Sequence, residues 1–319
     1  MKKVVLVTAI GTAASTTIVG ELNKAGHYYI IGADMAKRNE VATSLDVDEY
    51  YQFPPSIGEE YIPFAINFCK EHKVDYYFAI IDNEVVNLAR NKKAFEEVGT
   101  SLCLPNHEFV NISHYKDLFL KWIDEHIPEI AIKQYSNLEE VKNAIFPLFV
   151  KPNEGAASRG CRKLESYEEV IASINTAEIG SSFLIQDYVE GRLITVDCIR
   201  NRKTGQKLVV PRKEHLRNTD GCGIAVEIFY DEELEQICNR LMEKLDLNGV
   251  INIEFFETES GYKIVEINPR HSAGTVYSCM AGGDTVLNAI RIADEESCVF
   301  GKIAYGAHFT KRYEAYRMD

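Results

Sequence analysis

The stretch Val250-Ile251-Asn252-Ile253-Glu254-Phe255-Phe256-Glu257, with Tyr262-Lys263-Ile264-Val265-Glu266-Ile267-Asn268-Pro269-Arg270 just after it, decides the fold. Two largely apolar runs joined across Ser260-Gly261 predict an antiparallel hairpin. Side chains alternate faces with period two. Ile251, Ile253 and Phe255 therefore share one face, and Asn252, Glu254 and Phe256 the other. Glu266 and Asn268 point the same way on the second strand. With the hairpin centred on Ser260, Glu254 stands opposite Glu266, with Cβ atoms roughly 4.5–5.5 Å apart. Two carboxylates at that spacing repel unless one is protonated or a cation lies between them. With Asn268 they offer three oxygen-bearing side chains, a donor set suited to a hard ion such as Mg²⁺. The alternative is a solvent-facing hairpin with paired surface acids. A one-residue slip in register would part the two carboxylates.

Working outward, 231–245 reads as the one clear helix of the last third. The middle reads as α+β. Ser113 is placed to cap a helix carrying Leu118, Phe119, Trp122 and Ile123. Ser136-x-x-Glu139 and Ser166-x-x-Glu169 have the form of capping boxes. Between those two helices 148–151 is a strand ending at Pro152, followed by the small-residue loop Asn153-Glu154-Gly155-Ala156-Ala157-Ser158-Arg159-Gly160. The segments 183–187 and 194–199 are strand-like. The first third alternates: strands at 4–8, 28–31 and 75–81, helices from the Ala9–Ser15 turn to Ala25, at 59–71 and at 83–97. Gly26 serves as a helix stop. Strands separated by helices of this length predict a doubly wound parallel sheet. A boundary falls near 105.

The string Val265-Glu266-Ile267-Asn268-Pro269-Arg270 resembles the E-x-N-P-R signature of ATP-grasp enzymes, in the branch of the carbamoyl phosphate synthase large chain and the small carboxylate–amine ligases. Other segments resemble the family in order and spacing. Val150-Lys151-Pro152 with Gly155, Ser158, Arg159 and Gly160 is similar to the lysine and glycine-rich loop over the nucleotide phosphates. Lys116 resembles the earlier nucleotide-contacting lysine. Gln186-Asp187-Tyr188-Val189 resembles the adenine hinge. The resemblance implies a Rossmann-like pre-ATP-grasp α/β domain (1–105). An α+β ATP-grasp fold follows, as a small lobe with the loop (106–188) and a C-terminal lobe with the metal site (189–319). It implies ATP and Mg²⁺ (or Mn²⁺) as cofactors, Glu254, Glu266 and Asn268 as metal ligands, and Arg270 and Lys151 as the catalytic pair. The implied reaction activates a small carboxylate as an acyl phosphate for attack by an amine. In many relatives a glutamate past the hinge holds the ribose; here that position is Leu193, with Glu190 close by.

Composition bounds the alternatives. At about 150 residues per domain, 319 residues suggest two domains. A hydrophobic fraction of 46% with 26% charged residues excludes a disordered chain. A net charge of −13 argues against nucleic acid or a membrane surface as partner. Eight cysteines without a C-x-x-C pair fit a reducing compartment. With no H-E-x-x-H and no clustered Cys and His, a zinc site is not expected. The apolar run after Met1-Lys2-Lys3 breaks at Gly11-Thr12, favouring a buried first strand over a signal peptide. A cytoplasmic protein with small-molecule partners is expected, and a homodimer at the level of family analogy. With one such module and no glutaminase segment, a complete carbamoyl phosphate synthase is not expected.

Two competing functions remain open. Val7-Thr8-Ala9-Ile10-Gly11 before a helix, with Asp34 past the second strand, is compatible with an NAD(P)-dependent oxidoreductase. The chain could also bind ATP without catalysis, as a sensor. Arg212 and Lys213 could face substrate or end a solvated strand. Asp82 and Glu84 could hold a cationic substrate group or cap a helix.

Overall fold

A computed structural model describes residues 2–153, 160–219 and 221–318. The N-terminal unit is a parallel sheet in the order β3-β2-β1-β4-β5, from β1 (Lys3–Val7), β2 (Tyr28–Asp34), β3 (Glu49–Gln52), β4 (Tyr76–Phe78) and β5 (Ser101–Leu102). The helices are α1 (Ala13–Ala25), α2 (Tyr61–His72), α3 (Asp82–Arg90) and α4 (Lys92–Glu97). The central strand is apolar throughout because both its faces are covered. Val5 and Val7 pack with Ile18 and Leu22 of α1, whereas Leu6 faces Ala65 and Leu88 on α2 and α3. Thr12 Oγ1 accepts from the Ser15 N–H to start α1, and Gly26 ends it at φ 76°.

Two helices, α5 (His107–His114) and α6 (Lys116–His126), lead to a four-stranded sheet, β6-β9-β7-β8. It comprises β6 (Gln134–Tyr135), β7 (Leu148–Pro152), β8 (Arg162–Leu164) and β9 (Phe183–Asp187), with α7 (Leu138–Lys142) and α8 (Tyr167–Ser173). The third sheet runs β14-β13-β10-β11-β12-β15. Its strands are β10 (Arg192–Arg200), β11 (Lys207–Arg217), β12 (Gly223–Ile228), β13 (Gly249–Thr258), β14 (Gly261–Asn268) and β15 (His308–Thr310), with helices α9 (Glu232–Lys244), α10 (Thr275–Met280) and α11 (Thr285–Ala293). One face of this sheet is a closed core. Ile194, Val196, Ile251, Ile253 and Phe255 meet Leu234, Leu241 and Met242 of α9 and Phe119 and Ile123 of α6. The other face carries the polar site. The last helix returns to the N-terminal unit, where Val286 and Ile290 join Ile10 and Ile18.

Several local expectations are corrected. Ser113 does not cap α6: it is buried inside α5, and its hydroxyl donates to Phe109 O. The cap of α7 is Asn137, one residue past Ser136, and accepts from the Glu140 N–H; Ser166 does cap α8. The segment read as one helix over 83–97 breaks at Asn91, whose amide donates to Asn87 O while its backbone sits at φ −107°, ψ 15°. Strands β3, β12 and β15, and helices α10 and α11, had no periodic signal strong enough to place them.

Candidate functional site

The hairpin of β13 and β14 sets Glu254 opposite Glu266 and Asn252 opposite Asn268. This register is reached through an irregularity. Near the turn Thr258 pairs with Gly261 and Phe255 with Ile264, a phase that would carry Val265 opposite Glu254. The ladder shifts between Glu254 and Phe255, so that Val265 is the extra residue of a bulge. Burial follows the shift: Tyr262 and Ile264 point into the core, then Ile267 does. Without the bulge, Glu266 would turn onto the core face. The bulged residue also contributes directly, because Lys151 Nζ donates to Val265 O at 3.4 Å.

The two acids form a strained electrostatic pair. Burial first, and the charge of Glu266 second, push Glu254 up to about 8. Asn268 Nδ2 donates to Glu266 Oε1 at 3.2 Å. Two carboxylates with an amide oxygen beside them, one acid resisting ionisation, fit a divalent cation by the chemistry of the donors. Lys151 ends β7 across from them. It is 6% exposed, and burial holds its ammonium down at about 8, with Glu266 raising it and Lys116 lowering it. Lys116, at the start of α6, donates to Asn153 O at 3.5 Å. Lys151 thus feels both Lys116 and Glu266, and Glu266 acts on Glu254, although the four come from four different elements. Gly160, at φ 78°, is the described end of the loop; a Cβ there would lie 3.0 Å from Pro152 Cγ. Gly155, Ser158 and Arg159 lie outside the described residues.

The hinge segment closes the other side. Gln186 is buried, and its Oε1 has no partner among the described residues. Asp187 Oδ1 accepts from Tyr135 at 2.7 Å, and its N–H donates to Lys133 O. Tyr188 donates its N–H to Pro147 O and lies under the Lys163 ammonium, 4.6 Å from its ring centre. Val189 and Glu190 follow before β10. Thr195 is buried between Glu254 and Arg212 in the ladder, and its Oγ1 also lacks a partner among the described residues. Orphaned buried oxygens on a site face fit a pocket completed by a bound polar group.

Arg270 reaches the N-terminal unit. Its Nε donates to Asp82 Oδ1 at 2.6 Å and its Nη2 to Asp82 Oδ2 at 3.3 Å, a forked pair that also touches Asn268 Oδ1 at 3.3 Å. Asp82 is therefore neither a helix cap nor open to a substrate amine in this state. Glu84 is buried in a cage of hydroxyl donors from Thr8, Tyr61 and Tyr77, and burial raises its carboxyl. It holds the N-terminal unit together and does not face the site.

Beneath the acids lies a network that spacing could not reveal. Asp197 Oδ2 accepts from Arg212 at 2.8 Å and from Ser278 at 2.6 Å, and its Oδ1 from Ser272 at 2.9 Å and Asn252 at 3.0 Å. Arg212 is 1% exposed and also meets Glu214 at 3.5 Å. Gly274 is needed here, since a Cβ would fall 2.5 Å from Arg212 Nη2. The network ties the loop after Arg270 to the sheet. Lys213 points the other way, its ammonium 4.6 Å from the Phe229 ring centre. The only hint in the sequence was two charges, Arg212 and Asp197, inside otherwise apolar strands.

A family model described as "ATP-grasp in the biosynthetic pathway with Ter operon" matches residues 180–311, and one described as "PylC-like, N-terminal domain" matches residues 5–103. Residues 180–311 thus match an ATP-grasp family model. Among the relatives of this chain is the carbamoyl phosphate synthase large chain of Clostridium botulinum, 23% identical over 270 residues, which cover 74% of the chain and 23% of that protein. The chain thus spans about a quarter of the length of the curated relatives it matches. The biotin carboxylase domain dimer of Hydrogenobacter thermophilus 2-oxoglutarate carboxylase, solved with MgADP, ADP and bicarbonate, superposes with a TM-score of 0.77. It is 17% identical, over 97% of this chain and 73% of that one. The N5-carboxyaminoimidazole ribonucleotide synthetase of Thermotoga maritima gives 0.67 at 20% identity, over 95% and 77%. These likenesses fix the fold, a parallel-sheet domain followed by an ATP-grasp domain.

The oxidoreductase alternative loses its key residue. Asp34 Oδ2 accepts from the Gly11 N–H at 2.9 Å and Oδ1 from the Ala36 N–H at 3.1 Å, so the acid placed for a ribose is engaged by the backbone of the loop after β1 and of its own turn. Among the described residues, no helix is long and apolar enough to cross a membrane.

Proposed function

We propose that the chain is an ADP-forming ligase that activates a small carboxylate as an acyl phosphate and passes it to an amine. The observation that carries this is the meeting of Glu254 and Glu266 with the buried Lys151, with Arg270 two residues past Asn268. An electrostatic pair of acids beside buried cations is a phosphoryl-transfer arrangement. ATP would lie between the two sheets, with Gln186, Asp187, Tyr188 and Val189 at the base and Lys116 and Lys151 toward the phosphates. Glu254, Glu266 and Asn268 would hold Mg²⁺ or Mn²⁺, which when bound neutralises developing phosphate charge. Lys151 supplies a positive charge on a side chain whose stem is immobilised by burial, so little reorganisation accompanies reaction. Arg270, oriented by Asp82, presents its guanidinium at the boundary with the N-terminal unit. A carboxylate substrate seated there would be held against the transferring group. Gly155, Ser158, Arg159 and Gly160 would cover the phosphates and exclude water. The N-terminal unit would supply specificity from the ends of β1 and β4. Small-molecule partners follow from this reading, and a homodimer is carried over from the biotin carboxylase relative.

The test is a product-mass screen with ATP, Mg²⁺ and pooled carboxylates and amino acids. ADP that forms only with Mg²⁺ and with both a carboxylate and an amine supports the ligase. ATP binding without turnover across the screen favours a sensor. Tight NADH binding without ATP binding overturns both.

A further inference from the structure

We propose a second metal site, for a transition ion such as Zn²⁺, formed by His215, Glu227 and His308 at the edge of the six-stranded sheet. The ligating atoms of the three residues lie within 4.8 Å of one another. His215 Nε2 is 3.3 Å from Glu227 Oε2. A tetrahedral ion with bonds of about 2.0–2.1 Å needs donors roughly 3.4 Å apart, so small rotamer adjustments bring all three into range.

The site is built by the sheet. Glu227 pairs with His308 across β12 and β15, and β11 pairs with the other side of β12. The β11 ladder shifts register between Glu214 and Leu216, and His215 is the residue at that irregularity. His215 lies two residues past Lys213, the ladder partner of Glu227, and so shares its strand face with Glu227. The two imidazoles stack with centroids 6.0 Å apart and planes at 24°. Val226 and Ile228 pack against Tyr277 on the opposite surface, so the cluster faces away from Glu254 and Glu266. Lys213, the cation paired with Glu227 in the ladder, is drawn over Phe229, which leaves the carboxylate to the histidines.

Two imidazoles and one carboxylate favour zinc, copper or nickel over magnesium, in contrast to the all-oxygen set at the hairpin. Three protein ligands leave a position for water. No local spacing reveals this cluster, because its members are separated by 12 and 81 residues and only strand pairing gathers them. An ion here would fasten β15 to its neighbours. Just beyond β15, Lys311 donates to Ala273 O at 2.7 Å, in the loop that Arg212 holds through Ser272.

The test uses the full chain. Zn²⁺ binding is followed by calorimetry, Co²⁺ binding by visible absorption, and thermal unfolding is recorded with and without Zn²⁺. One ion per chain is expected, with the absorption of low-coordinate cobalt and a raised unfolding midpoint. All three effects should be lost in His215→Ala and in His308→Ala, and weakened in Glu227→Gln. Both histidines are exposed, so their loss leaves the core intact. Glu254→Gln should bind the ion as the parent does, which separates this site from the hairpin site and keeps the test independent of the ligase reading. No stoichiometric binding, binding that survives the double histidine variant, or a thiolate-to-cobalt band from a cysteine ligand each overturns the proposal.

Discussion

Replacing Glu254 by Gln should make the metal-free protein more stable and the metal-loaded protein relatively less so. The reason lies in the cross-strand pair. Two charges about 5 Å apart at an effective dielectric of about 20 repel by roughly 3 kcal/mol. The folded protein relieves this by keeping Glu254 protonated up to about 8. A group whose folded-state pKa is raised contributes stability fully below its unfolded value and loses it as pH climbs to the folded value. Stability from this acid should therefore fall between about 4.5 and 8, and the advantage of the Gln variant should grow across the same window. At pH 8 we expect a gain of about 1–3 kcal/mol, below the Coulomb limit because the neutral amide still needs partners. Mg²⁺ with ADP should stabilise the parent through mass action and leave the variant little changed. Urea unfolding at pH 5 and pH 8, with and without Mg²⁺ and ADP, reads all of these. A variant that is destabilised at pH 8 without metal, or that keeps the full Mg²⁺ increment, refutes the reasoning.

Other outcomes follow from the same geometry. In the Glu254→Gln background, metal-free ADP should take up protons at pH 8 but not at pH 6.5. A phosphate beside Lys151 raises an ammonium now held near 8; calorimetry in two buffers of different ionisation heat would show no difference if this is wrong. Arg212→Met should cost about 3–5 kcal/mol in urea, because it leaves Asp197 buried without its cation, whereas Glu214 keeps Arg217; a loss under about 1 kcal/mol would contradict the network. Asp82→Ala should leave ATP affinity intact while lowering Mg²⁺-dependent ADP release about tenfold or more, since it frees Arg270. Equal losses in binding and turnover would place Asp82 elsewhere.

Much of this was legible in the sequence because the informative residues are close along the chain. Glu254 and Glu266 sit on one hairpin, so alternation alone put them on one face, although the centre assumed at Ser260 gave the right pair only because a bulge at Val265 compensates for a turn half a residue away. Lys151 was visible as a strand end before small residues. Asp82 was visible as an acid but not as the partner of Arg270, since the two are 188 positions apart and belong to different units. The Asp197–Arg212–Ser272–Ser278 network was hidden for a similar reason: buried polar groups are paired by tertiary contacts, which leave no local period. Strand β15 was missed because three residues carry too little pattern to read.

The most direct measurement is anomalous diffraction from crystals grown with Mn²⁺ and ADP. A manganese peak about 2.1 Å from oxygens of both Glu254 and Glu266, with Lys151 on the phosphates, is the predicted result. Manganese bound elsewhere, with those two carboxylates left to themselves, would contradict the account.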